Sequence, residues 1–111
     1  MNIQVRQCGA VRIIKPSGEL KSLNTEALKC TIEDALKECL GRIVIDLSGI
    51  SFINSQALGV LVDISREIRL RGQTLRLSHL NHTLKQVLEL TGTLSLFDIY
   101  EDSQTAVRSF L

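Results

Sequence analysis

The chain has 111 residues, of which 44% are hydrophobic and only one is proline. That length suits a single domain spanning 1–111, and that composition excludes intrinsic disorder. A formal net charge of +1 leaves no global field to draw in nucleic acid or an anionic membrane surface.

No apolar run approaches the roughly 20 residues that a bilayer span requires, so membrane insertion is not expected. The opening Met1-Asn2-Ile3-Gln4-Val5-Arg6 lacks a secretory hydrophobic region, and the expected setting is the cytoplasm. Residues 2–7 and 10–15 read as a hairpin turning at Cys8-Gly9, and Pro16-Ser17-Gly18 breaks the run. Asn24 or Thr25 is placed to cap a helix with Leu28, Ile32, Ala35, Leu36 and Cys39 inward, ended by Gly41. Cys8, Cys30 and Cys39 form no Cys-x-x-Cys pair and read as reduced thiols rather than a disulfide framework or zinc site.

The central stretch comes next. Ile43-Val44-Ile45-Asp46-Leu47 is β-branched and apolar, as a strand buried on both faces should be. A turn-rich loop, 48–54, leads into a helix whose Leu58, Leu61, Val62, Ser65 and Ile68 make one stripe. Asn54 or Ser55 can cap it, and Gly72 suits the left-handed conformation after its last turn. Residues 74–77 read as a strand, 81–90 as a helix with Leu84, Val87, Leu88 and Leu90 inward, and 97–100 as a last strand. Asp102 or Ser103 then caps a terminal helix carrying Ala106, Val107 and Phe110.

The order ββαβαβαβα predicts an α/β fold: a mainly parallel sheet of about five strands, an antiparallel N-terminal edge strand and four helices. Parallel strands align their carboxyl ends, where ligands and partners tend to bind. Gly18-Glu19-Leu20-Lys21, the 48–55 loop and Ser78-His79 should meet at that edge.

Chemistry there is sparse. No glycine-rich phosphate loop or cofactor motif is present, and Ser55 lacks the glycine-flanked elbow of a hydrolase nucleophile. His79 is the one candidate base for Ser55, and that dyad would need an orienting carboxylate and an oxyanion hole. His79 and His82 have no third metal ligand nearby. Arg66, Arg69, Arg71 and Arg76 make a basic patch without interleaved aromatics, which reads as a solvated helix end. Taken on residues alone, Ser55 is an N-cap.

The run Asp46-Leu47-Ser48-Gly49-Ile50-Ser51-Phe52-Ile53-Asn54-Ser55-Gln56-Ala57-Leu58-Gly59 resembles the signature of the STAS domain, above all that of single-domain anti-sigma factor antagonists. That signature is a hydrophobic strand, Asp-Leu-Ser-x-Val, then Asp-Ser-Ser/Thr-Gly-Leu-Gly. Gly18-Glu19-Leu20 is similar to the family's Gly-Glu-Leu after the second strand, and Leu88-x-x-x-Gly92 to its late Leu-x-x-x-Gly. The resemblance extends over the whole chain and implies a STAS-like fold and a regulatory binding protein, not an enzyme.

It also implies that Ser55 is the phosphoacceptor of a serine kinase that doubles as an anti-sigma factor, with a PP2C-type phosphatase reversing the step. The partner-binding surface it implies comprises Leu20, Lys21, Ser51, Phe52, Asn54, Ser55, Gln56 and Ala57. Asn54, Gln56 and Ala57 depart from the usual Asp, Ser/Thr and Gly, and Lys21 stands where the family often has aspartate. Asn54 and Gln56 suit a second reading at least as well: a constitutive STAS accessory subunit gripping an ABC-transporter ATPase.

Overall fold

The computed structural model describes residues 2–17, 22–39, 42–50 and 52–110. Strands β1 (Asn2–Cys8) and β2 (Val11–Ser17) pair antiparallel, with Gly9 at φ 60 in the turn between them. Helix α1 (Ser22–Cys39), β3 (Ile43–Asp46), α2 (Ser55–Leu70), β4 (Arg76–Ser78), α3 (His82–Leu90), β5 (Asp98–Tyr100) and α4 (Ser103–Arg108) follow. A single 3-10 turn, Leu94–Leu96, precedes β5. The sheet order is β1-β2-β3-β4-β5, parallel from β2 onward. The expected α/β architecture, with four helices and an antiparallel first strand, is the observed one.

Because consecutive parallel strands are neighbours, crossovers of one hand deliver their helices to one face. Buried residues of α1, α2 and α3 accordingly form one cluster with Ile14, Ile43, Ile45 and Leu77. The smaller cluster on the other face joins Ala106 of α4 to Val11, Ile13 and Val44. The alternation of Ile43 and Ile45 against Val44 is the two-residue period of a strand covered on both sides. Each face thus takes every second residue of β3, and the residue after Ile45 on the α4 side is Asp46.

Several boundaries differ from expectation. Helix α1 already starts at Ser22, so Asn24 and Thr25 lie within it rather than capping it. Ser22, Asn24 and Thr25 are all good cap types, which makes the starting signal degenerate. Strand β4 covers 76–78 rather than 74–77, and Thr74 instead accepts a hydrogen bond from the Arg76 guanidinium at 2.8 Å. The buried stripe of α2 is Ala57, Leu58, Leu61, Ile64, Ser65 and Ile68, with Val62 only half-buried. Gly72 takes φ 81 after α2, as expected. Gly18, Glu19, Leu20, Lys21, Gly41 and Ser51, each given a role above, lie outside the described residues. Among the described residues no helix is long and apolar enough to cross a membrane.

Candidate functional site

The edge at the start of α2 is assembled by the loop after β3. Leu47 N–H donates to the Ser78 carbonyl at 2.9 Å, which prolongs the β3–β4 pairing by one residue. The chain then turns, with Ile50 N–H donating to the Leu47 carbonyl at 3.0 Å. Gly49 forms a parallel bridge with Ser17. A Cβ at position 49 would lie 2.8 Å from the Ser17 Cβ and 3.1 Å from the Pro16 carbonyl, so only glycine lets the loop press this closely on β2. Ile50 and Ile53 are buried and pin the loop down, whereas Phe52 between them is 58% exposed.

Asn54 is the N-cap of α2. Its backbone is extended (φ −87, ψ 172), and its Oδ1 accepts from Ala57 N–H at 2.8 Å. Of the two capping candidates it is Asn54 that performs the task. Ser55 is therefore the first residue of the helix proper, and it is exposed. Its hydroxyl is not committed to the cap and stands where the helix dipole presents its positive end. Gln56 is exposed beside it. Ala57, expected among the partner-facing residues, instead points into the core at 1% exposure. It sits one turn before Leu61 on the buried stripe, and what it offers the loop is its N–H. Of the other residues assigned to this surface, Phe52, Asn54, Ser55 and Gln56 are together at the helix start, and Leu20, Lys21 and Ser51 lie outside the described residues.

His79 belongs to a different constellation. It adopts φ 58, a left-handed conformation uncommon for a side chain with a Cβ. Its Nε2 lies 3.9 Å from Asp46 Oδ2, too far for a hydrogen bond. Ser103 Oγ donates to the same carboxylate oxygen at 3.2 Å and is 2.9 Å from Ser78 Oγ, while Asp46 Oδ1 accepts from Ser48 N–H at 2.9 Å. Of these residues Asp46, His79 and Ser103 line a cleft on the α4 face that Ser55 does not line. The geometry gives no support to a Ser55–His79 dyad. The sequence reading passed over Asp46, Ser78 and Ser103 as a cluster; its one visible signal was an aspartate ending an otherwise apolar strand.

The basic patch also divides. Arg66, Arg69 and Arg71 are exposed around the end of α2, where Arg69 donates to the Ser95 carbonyl at 3.1 Å. Arg76 lies on the opposite face with its guanidinium 3.6 Å from the centre of the Phe110 ring. Among the described residues no group of His, Cys, Asp and Glu is arranged to hold a metal ion.

Known proteins share this fold. The family model of the STAS domain matches residues 2–106. An anti-sigma F factor antagonist of Paenibacillus polymyxa is 23% identical over 109 residues, covering 96% of this chain and 92% of that protein. A Thermotoga maritima protein solved in crystals is 28% identical, with a TM-score of 0.88 over 96% of this chain and 92% of its own. The anti-sigma factor antagonist SpoIIAA in its unphosphorylated form shares the fold at 18% identity and a TM-score of 0.81, over 98% of this chain and 96% of its own. The phosphorylated form of SpoIIAA from Bacillus shares it with a TM-score of 0.74, over 99% and 100%. This chain belongs to the STAS domain family, as a STAS domain of the anti-sigma factor antagonist-like kind.

Proposed function

We propose that the protein is a regulatory binding module whose docking edge is switched by phosphorylation of Ser55. In its unmodified form it docks Phe52, Asn54, Ser55 and Gln56 on a serine kinase that doubles as an anti-sigma factor, freeing the sigma factor. Phosphate on Ser55 prevents docking, and a PP2C-type phosphatase restores it. The observation that carries this reading is an exposed hydroxyl on the first residue of α2 whose expected capping task is done by Asn54. The Paenibacillus relative is named for antagonism of an anti-sigma factor, and SpoIIAA occurs in both phosphorylation states.

The physical asymmetry is between free and bound states. A phosphoserine adds about −1.5 to −2 charges at pH 7. At a helix N-terminus that charge is favoured by about 0.3–1 kcal/mol, so the free protein keeps its fold. Buried against a partner, the same group must shed water, which costs on the order of several kcal/mol, or a hundredfold and more in affinity. Phe52 supplies an apolar anchor beside the switch, of the kind that dominates small interfaces.

The test is a quantitative pull-down from the native cell with wild type, Ser55→Ala and Ser55→Asp. Wild type and Ser55→Ala should recover the same kinase, and Ser55→Asp should recover about a tenth as much or less. Equal recovery by all three removes the switch. Equal recovery of a transporter ATPase would put the constitutive accessory subunit in its place.

A further inference from the structure

The sheet ends on two strands of unequal length, β1 and β5. Strand β5 has only three residues, and a short edge is one of the ordinary ways in which a sheet avoids adding a further strand. Strand β1 lacks such protection. It runs for seven residues without a proline, keeps an unbroken register with β2 and carries a single charge, Arg6.

The direction of its backbone groups follows from its neighbour. Arg12 N–H donates to the Arg42 carbonyl at 3.0 Å, so it points towards β3 and away from β1. Gln7–Arg12 is therefore a hairpin pair that exchanges no hydrogen bond, and by the two-residue alternation so are Val5–Ile14 and Ile3–Pro16. Pro16, which has no N–H, stands where the hairpin needs none. The N–H and C=O groups of Ile3 and Val5 thus point away from β2, past the edge of the sheet. No strand among the described residues lies beyond them. Their side chains share the face of Ile14, where Ile3 packs at the margin of the larger cluster and Val5 stays 50% exposed.

We propose that β1 pairs antiparallel with β1 of a second copy of this chain, Ile3 of each opposite Val5 of the other. The segment Ile3-Gln4-Val5 reads apolar, amide, apolar in both directions. A two-fold axis between the two Gln4 residues therefore sets apolar against apolar and amide against amide, a match built into this strand's own sequence. Both Ile3–Val5 pairs then exchange their backbone hydrogen bonds, and the apolar margin of one copy continues that of the other. The Arg6 residues of the two copies stand four register positions apart, about 13 Å along the strands, so the single charge of β1 does not oppose the pairing. Because the strands run antiparallel, the Ser55 edges of the two copies face opposite ways, and the dimer does not rest on phosphorylation of Ser55.

Sedimentation equilibrium of the full chain tests it, together with amide hydrogen exchange. The mass should pass from one chain to two, with half-assembly below about 1 mM, as suits a small interface. The Ile3 and Val5 amides should exchange about tenfold more slowly in the dimer than in the dilute monomer, while Gln4 and Arg6, bonded within the hairpin, stay constant. Val5→Lys should weaken assembly by about tenfold or more, with unchanged exchange at Gln4 and Arg6 showing an intact hairpin. Under mild oxidation Gln4→Cys should link two chains through position 4, where facing Cα atoms are about 4.5 Å apart, and Arg6→Cys should not. If Val5→Lys disturbs the hairpin, wild-type exchange and the Gln4→Cys link decide. A one-chain mass throughout that range overturns the proposal, as does a dimer whose Ile3 and Val5 amides exchange freely. A dimer that survives Val5→Lys unweakened or stays unlinked by Gln4→Cys overturns it too, as does an unrelated polypeptide found along β1 in place of a second copy.

Discussion

Asn54 does for α2 what the aspartate of the related signature would do, but without the charge. Its amide oxygen holds Ala57 N–H at 2.8 Å, so Asn54→Ala should cost about 1 kcal/mol, read as a lower urea midpoint with an unchanged slope. Asn54→Asp keeps the cap and adds a negative charge at the positive helix end, so the unmodified protein should gain about 0.3–1 kcal/mol. The same carboxylate would stand beside an acidic group at position 55. Combining Asn54→Asp with Ser55→Asp should therefore yield less than the sum of the single changes, which a double-mutant cycle measures.

Asp102 caps α4 by the same device. The backbone hydrogen bond from Thr105 N–H, then the side-chain contact with Thr105, pulls its carboxyl below the ordinary value; the small loss of hydration opposes this, and His79 and Arg108 help. A group whose pKa is lower folded than unfolded adds stability that is fully present above the unfolded value of about 3.9. That stability disappears as pH falls through the lowered folded value. Asp102→Asn keeps a capping oxygen and loses the titration. Urea midpoints should fall less between pH 5 and pH 3 in the variant than in wild type. Equal falls would mean that the cap carries no acid dependence.

At the scale of elements, α2 combines an inward stripe with an outward face that holds Gly59 in the helix interior. Position 59 is exposed, and a Cβ there would meet nothing within 4 Å. Glycine is not needed for packing within this chain, and it weakens the helix. Gly59→Ala should raise stability by about 0.5–1 kcal/mol in urea unfolding. A loss instead would show strain that the open surroundings do not suggest.

The strand–loop–helix unit was legible because its signals agree: a β-branched run, a turn-rich loop, a capping asparagine and a 3.6-residue stripe. The start of α1 was not, since consecutive cap-type residues left its first turn ambiguous. Strand β4 is only three residues long, too short for a period to declare itself. The 3-10 turn at 94–96 escaped for the same reason. The Asp46–Ser78–Ser103 network was invisible for a deeper one: residues this far apart in sequence become neighbours only through the order of strands in the sheet.

Across the whole molecule, the two faces of the sheet carry separate hydrophobic clusters on a shared layer. Ile43, Ile45 and Leu77 bind the three-helix side, and Val44 joins the α4 side. The loop over β3 rests on both, through Ile50 and Ile53 in the larger cluster and the Asp46–Ser48 hydrogen bond beneath it. Close-packed interiors deform little under a surface charge, and a negative group at the start of α2 is favoured where it stands. The switch proposed at Ser55 would therefore act by what a partner meets rather than by refolding. Ser55→Asp should accordingly leave the amide spectrum of β1, β2, β5 and α4 unchanged, with shifts confined to residues 48–59. Its thermal midpoint should stay within a few degrees of wild type, the change expected of about 1 kcal/mol or less in a domain near this size. Shifts spread through both clusters would instead reveal a two-state rearrangement, and the charge-blocking account would give way to a conformational one.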